Sequence, residues 1–335
     1  MNKTVSFSRD SANVFFHITT RCNLNCRHCY INPLQHGAET LPLTIAENWL
    51  DLFVRRSARA NVVFLGGEPT LHPDLAAMIK KARHLDYASI TVDTNGFLFH
   101  DILDKVTPQD VDYFSFSMDG ATAATNDKIR GRGSYAACTA GIRRTVARGF
   151  CVSAIFTVSR ANIHEIGLMG PLLASLGVKR FFIQVIGLRG RSAADRTESL
   201  QVGRDEWLGR VPAAAAKIAR LGITVTYPKV FLDDGEPFAC AGRVADNYFV
   251  FPNGRVYRCP LCEDFPLHSL MIDGDRLTDR APITERELFQ LDIPEGCVMN
   301  KLVQPDNLGY HADGSPQYRV ACCLLKEEIE GQKNN

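Results

Sequence analysis

Short runs rich in β-branched and aromatic residues alternate with amphipathic stretches over the first half of the chain, and this alternation narrows the fold more than any other feature. Residues 13–19, 62–65, 89–93, 113–117, 152–158 and 180–186 read as strands. Residues 43–59, 73–85, 101–105, 135–148 and 164–176 read as helices between them. The first helix carries Ile45, Trp49, Leu50, Phe53 and Val54 on one stripe, and Pro73 suits the opening position of the second. Strands separated by helices cannot pair through tight hairpins, so the pattern predicts parallel βα units with right-handed crossovers. A later helix over 204–221 contains Pro212, where a break or kink is expected.

Beyond Phe238 the texture changes. Residues 248–252 and 255–258 read as a hairpin, with Asn253-Gly254 supplying the positive φ angles of its turn. The charged and irregular sequence that follows holds most of the later cysteines. A boundary is expected near 230–237, at Asp233-Asp234-Gly235, dividing the chain into 1–232 and 233–335.

Of the 335 residues, 45% are hydrophobic and 22% charged, which suits a packed core and excludes a disordered tail or a fibrous repeat. The 38 basic and 37 acidic side chains leave a net charge of +1, so no overall field draws nucleic acid or anionic lipid. The first residues lack the apolar segment of a secretion signal, and no apolar run is long enough to span a bilayer. A cytoplasmic location is therefore expected. Eleven cysteines, an odd number, then point to metal or redox chemistry rather than a closed set of disulfides.

Three of them, Cys22, Cys26 and Cys29, follow the first strand with C-x3-C-x2-C spacing. Thiolates select soft metals, so an iron–sulfur cluster and a zinc knuckle completed by His28 both fit. Three thiolates on a four-iron cubane leave one iron without a protein donor.

The segment Cys22-Asn23-Leu24-Asn25-Cys26-Arg27-His28-Cys29-Tyr30 resembles the signature of radical S-adenosylmethionine (radical SAM) enzymes. Gly66-Gly67-Glu68-Pro69 resembles that family's Gly-Gly-Glu segment, Thr94-Asn95-Gly96 its Thr-Asn-Gly, and Ser115 to Gly120 its Ser-x-Asp-Gly. The resemblance covers roughly residues 13–190 and implies an α/β fold, a partial (βα)6 TIM-type barrel. It implies a 4Fe–4S cluster on Cys22, Cys26 and Cys29, whose open iron is chelated by S-adenosylmethionine. Gly66 and Gly67 would let backbone approach the cofactor, and Glu68 would accept from its ammonium group. Asn95, Ser117, Asp119 and Arg130 would meet its ribose or carboxylate. Ligands of parallel α/β folds bind beyond the carboxyl ends of the strands, where these motifs fall. One departure is His28, which stands where an aromatic residue often packs on adenine and is followed by Tyr30.

Cys240, Gly254 and Cys259 form C-x13-G-x4-C, which resembles the opening of the auxiliary-cluster domain called SPASM, or its shorter form, twitch. The longer cysteine run of a full SPASM domain is missing, which implies one auxiliary 4Fe–4S cluster. Cys240, Cys259 and Cys297 are its expected ligands. The fourth would be Cys262, Cys322 or Cys323, or the site would stay open. A zinc site on Cys259-Pro260-Leu261-Cys262 is the rival, and Cys138 and Cys151 read as small core residues. Arg189-Gly190-Arg191 reads as a solvated loop or as a contact for an anionic substrate.

The resemblance implies a radical SAM enzyme of the SPASM/twitch branch. It would cleave S-adenosylmethionine to a 5′-deoxyadenosyl radical for C–H functionalisation of a peptide, as a maturase of ribosomally made peptides does, or of a small-molecule precursor. Tailoring of a tetrapyrrole or another small metabolite is the alternative within the class. A non-catalytic iron–sulfur electron carrier or redox sensor is the alternative outside it. A flavodoxin- or ferredoxin-type donor would supply electrons. Only about a dozen residues precede the first expected strand, so a leader-peptide-binding domain would be a separate protein.

Overall fold

The computed structural model describes residues 2–5, 7, 10–194, 200–281, 283–305 and 308–332. Its strands are β1 (Asn2–Val5), β2 (Ala12–Thr19), β3 (Ala60–Gly66), β4 (Ser89–Thr94), β5 (Tyr113–Ser117), β6 (Val152–Val158), β7 (Arg180–Val185) and β8 (Thr224–Pro228). After these come β9 (Asp246–Val250), β10 (Arg255–Tyr257), β11 (Leu270–Asp273), β12 (Arg276–Asp279) and β13 (Lys326–Ile329). They form one sheet in the order β1-β13-β8-β7-β6-β5-β4-β3-β2-β9-β10-β11-β12. The sheet stays open, with β1 and β12 at its edges. The six expected strands, β2 to β7, lie side by side in chain order and in parallel.

Alternation along each strand builds two faces. Val14, Phe16, Ile18, Val62, Phe64, Ile90, Val92, Phe114, Phe116, Phe156 and Phe181 are fully buried. They alternate with a more polar set that includes Asp93, Ser115, Ser153, Thr157 and Gln184. Asn13 of that second face links Asn61 and Asn247 across three strands, at 3.0 Å on each side. The helices Leu43–Val54, Leu75–His84, Ser134–Ala147 and Met169–Ser175 lie between strands as expected, with shorter bounds. Pro73 falls before its helix, which opens at Leu75.

Several expectations need correction. One helix, Arg204–Ala219, runs through Pro212 without a break. Its buried face, Trp207, Val211, Ala214, Ala215 and Ile218, outweighs the missing N–H. Thr224–Pro228 is a seventh parallel strand, and an unforeseen N-terminal strand, β1, pairs antiparallel with β13. In the β9–β10 hairpin Gly254 alone takes a positive φ, 82°, and Asn253 does not. Cys151 is exposed rather than in the core.

The segment beyond 233 extends the same sheet. β9 pairs in parallel with β2, and β13 pairs with β8 on the other flank. Among the described residues no helix is long and apolar enough to cross a membrane.

Candidate functional site

The carboxyl ends of β2, β3, β4 and β5 form one rim, and each supplies part of the site. The cysteine loop leaves β2, with Cys22 exposed and Cys26 and Cys29 half-buried. The Gly66-Gly67-Glu68 turn leaves β3 and is hydrogen-bonded to the base of that loop: Gly67 N donates to Thr19 O at 2.8 Å and Glu68 N to Arg21 O at 2.9 Å. A Cβ at Gly66 would run into the Thr19 carbonyl, and one at Gly67 into the Arg21 carbonyl. The two glycines therefore admit the chain's own backbone, where the sequence suggested room for a cofactor.

Glu68 is 1% exposed. Its Oε1 accepts from Thr70 N (3.1 Å), Thr70 Oγ1 (2.6 Å) and Thr94 Oγ1 (2.8 Å), and its Oε2 accepts from Asn95 N (2.7 Å). Burial pushes its carboxyl up against the pull of these donors. The carboxylate thus ties the ends of β3 and β4 together, and Oε2 keeps capacity for one more donor. Asn95 Nδ2 donates to Asn23 Oδ1 at 2.7 Å and points toward Cys22 Sγ at 3.9 Å. Ser117 ends β5 half-buried, and its carbonyl takes the Cys138 thiol at 3.7 Å.

Asp119 and Arg130, expected at the cofactor's ribose or carboxylate, pair with each other, Nε to Oδ2 at 2.5 Å. The same Oδ2 lies 3.2 Å from His28 Nε2, and Oδ1 accepts from Thr157 N at 2.7 Å. Asp119 is fully buried. Burial alone would raise its carboxyl, yet the Arg130 guanidinium and His28 hold it well below the usual carboxylate range. Arg27 N also donates to Ile129 O at 2.9 Å, so the helix Ala123–Arg130 grips the middle of the cysteine loop. Asp119 therefore orients the His28 ring through Nε2.

Tyr30 turns inward, and its hydroxyl lies 2.7 Å from His17 Nε2. His17 Nδ1 bonds Val250 O at 2.9 Å, so the end of the loop is anchored to both β2 and β9. Arg189 stacks over Tyr30 at 4.6 Å and joins Pro260 O and Glu263, which ties the loop after β7 to the C-terminal segment. Arg189 therefore serves a structural contact rather than an open mouth.

The later cysteines converge. Cys240, Cys259, Cys297, Cys322 and Cys323 line one small cavity, closed by the apolar side chains of Phe238, Leu261, Phe289 and Met299. Burial and neighbouring thiols push Cys297 up. Cys262 is not part of that lining and sits beside Cys259 and Glu285. Among the described residues no three His, Cys, Asp or Glu side chains are gathered for a single metal ion. A four-iron cluster takes its thiolates from further apart, and an all-thiol donor set suits it. Asp93, which the sequence reading passed over, is half-buried on the polar face near Ser115 and Glu68, and burial pushes its carboxyl up to about 7. Strict alternation within β4 was the signal that could have found it.

Residues 16–167 match the family model of the Radical SAM superfamily. Pre-heme d1 synthase from Dinoroseobacter shibae is 32% identical over 194 residues, which are 57% of this chain and 47% of that protein. The chain thus spans about half the length of that relative. PqqA peptide cyclase from Gluconobacter oxydans is 29% identical over 74% of this chain and 70% of its own length. Among solved structures, Streptococcus suis SuiB bound to precursor peptide SuiA superposes with a TM-score of 0.66 at 12% identity, over 95% of this chain and 76% of that one.

Proposed function

Because residues 16–167 match the family model of the Radical SAM superfamily, we propose that the chain is a radical SAM enzyme of the SPASM/twitch branch that functionalises a C–H bond of a peptide. The observation that carries this reading is the rim itself. Three thiols, one buried carboxylate and one amide from successive strand ends stand together there. When bound, a 4Fe–4S cluster and S-adenosylmethionine supply reductive cleavage of the sulfonium to a radical that takes hydrogen from an unactivated carbon.

The chain's own residues do the rest. Cys22, Cys26 and Cys29 hold the cluster, while Gly66 and Gly67 brace their loop. Glu68, Asn95 and Ser117 receive S-adenosylmethionine, and Asp119 and Arg130 position the loop through His28. Asp93, its carboxyl pushed up to about 7, can give or take a proton near neutral pH on the polar face, where the substrate would lie. The C-terminal segment joins the loop after β7, with Leu188 N on Leu302 O at 2.7 Å, and would shield a bound substrate from water on that side. Cys240, Cys259 and Cys297, with Cys322 or Cys323, hold an auxiliary cluster, and Cys262 supports Cys259 from behind.

A peptide substrate is favoured because PqqA peptide cyclase, matched over 74% of this chain, reaches further along it than pre-heme d1 synthase, matched over 57%. A small metabolite is the second reading, favoured by the higher identity to pre-heme d1 synthase. A separate leader-binding protein and a cytoplasmic setting belong to the first reading. Anaerobic reconstitution, reduction with dithionite and addition of S-adenosylmethionine should yield 5′-deoxyadenosine. The Cys22→Ala/Cys26→Ala/Cys29→Ala variant should lose that product while keeping the iron held by the later cysteines. Undiminished 5′-deoxyadenosine from the triple variant would refute the assignment.

A further inference from the structure

The electrons for such chemistry come from outside the chain, and one surface fits their carrier. A cleft outside β9 is lined by Arg56, Arg243, Arg258 and Arg286 around Tyr248 and Asp246. Asp246 is the one carboxylate in this lining, and Arg258 already bonds it at 3.1 Å. Arg258 is 7% exposed, stacks on Tyr248 at 5.0 Å, and its Nε finds no acceptor among the described residues. Arg56 reaches Tyr248 OH at 3.3 Å. Arg286 leans on the exposed Asp279 at 2.8 Å, and Arg243 meets no carboxylate among the described residues. Asp246 offsets Arg258 and Asp279 offsets Arg286, so Arg56 and Arg243 leave the cleft positive, with planar donors suited to surface carboxylates.

Its location excludes a role in holding the reacting carbon. Asp246 pairs with Ala12, at the start of β2, whereas the cysteine loop leaves the far end of that strand. At ~3.3 Å per residue the two ends are about 23 Å apart. The cleft does adjoin the later cysteines. Gly242 in its lining packs against the ring of Phe289, and Phe289 and Cys240 line the cysteine cavity. The helix Ala241–Val244 begins directly after Cys240.

We propose that this cleft docks an acidic one-electron carrier protein of the flavodoxin or ferredoxin type, one layer of side chains from the later cysteines; the inference rests on the iron–sulfur reading above. One electron leaves the reduced carrier and one enters the iron–sulfur centre held by those cysteines. No bond or proton moves. The arginines steer the acidic face of the carrier and set its orientation.

The test mixes reconstituted protein with a fully reduced, acidic flavodoxin and follows bleaching of the iron–sulfur absorbance at low and high salt, with dithionite as the non-docking reductant. Binding of oxidised flavodoxin is read in parallel from its flavin fluorescence anisotropy. In Arg243→Glu/Arg286→Glu, carrier-driven bleaching and binding should each fall about tenfold at low salt, with the dithionite rate unchanged. Wild-type rates should fall with salt. Carrier-driven bleaching that survives in the variant, including alongside lost binding of an acidic precursor peptide, overturns the proposal. If the wild type takes up no iron, the iron–sulfur reading fails, and absent or salt-insensitive flavodoxin binding then overturns the docking site separately.

Discussion

His17, Phe251 and His36 stack in one buried column, with ring centroids 3.9 Å apart on each side of Phe251. His36 is fully buried, accepts from Asn32 N at Nδ1 (3.0 Å) and donates from Nε2 to Glu263 O (2.6 Å), so its ring is neutral. Burial lowers its pKa from the ordinary 6.5 to about 4. The unfolded chain therefore takes up a proton first on acidification. The stabilising contribution is complete above the ordinary value and is lost as pH falls toward 4. His36→Gln, which has no such proton, should cost roughly 2 kcal/mol less at pH 5 than at pH 8, measured as the difference between wild-type and variant urea unfolding. An equal cost at both pH values would mean that folding leaves the pKa of this ring unshifted. Nothing in the sequence marked His36, because Phe251 and Glu263, which bury and pin its ring, lie more than 200 residues away in chain order. Glu68 and Asp119 teach the same lesson. Their motifs showed which strand ends they occupy, yet Thr94 and Asn95 on Glu68, and Arg130 and Thr157 on Asp119, are brought there by tertiary placement.

Elements were more legible than contacts. Six strands and most helices could be read from period and composition, since each must bury one face whatever its neighbours are. Ile223, Thr224, Val225 and Thr226 carry an equally clear β-branched signal, and β8 could have been read from it. The strands β1 and β13 are different. Lys326, Glu327 and Glu328 look like exposed charge, and their pairing joins the two ends of the chain, which no local pattern encodes. The helix Arg204–Ala219 shows tertiary packing overruling propensity. Pro212 removes one hydrogen bond from its interior, and its ring crowds the carbonyl of Leu208. Pro212→Ala should therefore raise stability by about 1–2 kcal/mol, the recovered helix bond being partly offset by the freer unfolded chain. The check is a higher urea midpoint with an unchanged slope. A lower midpoint would show that the Pro212 ring itself contributes packing that alanine cannot replace.

At the scale of the whole molecule, the question is whether the cysteine-rich segment folds by itself. Its strand β9 pairs with β2 and its strand β13 with β8, so both flanks of the parallel strands end on it. Trp49, Trp207, Phe251, Cys259 and Cys297 belong to one continuous buried cluster. Pulling the segment away would expose the edge backbone of β2 and β8 together with that cluster, which costs far more than a domain interface normally does. The two tryptophans, the only ones in the chain, sit in helices on the parallel part, whereas iron on the later cysteines would report the segment. In the Cys22→Ala/Cys26→Ala/Cys29→Ala background, where only the later site holds iron, tryptophan fluorescence and iron–sulfur absorbance should disappear at one denaturant concentration. Phe251→Ala, which empties the centre of the buried column, should lower both midpoints together by an amount equal to about 3–5 kcal/mol. Two separate midpoints, with tryptophan fluorescence unmoved by Phe251→Ala, would mean that the parallel strands stand without the segment and that the shared sheet is a contact between independently stable parts.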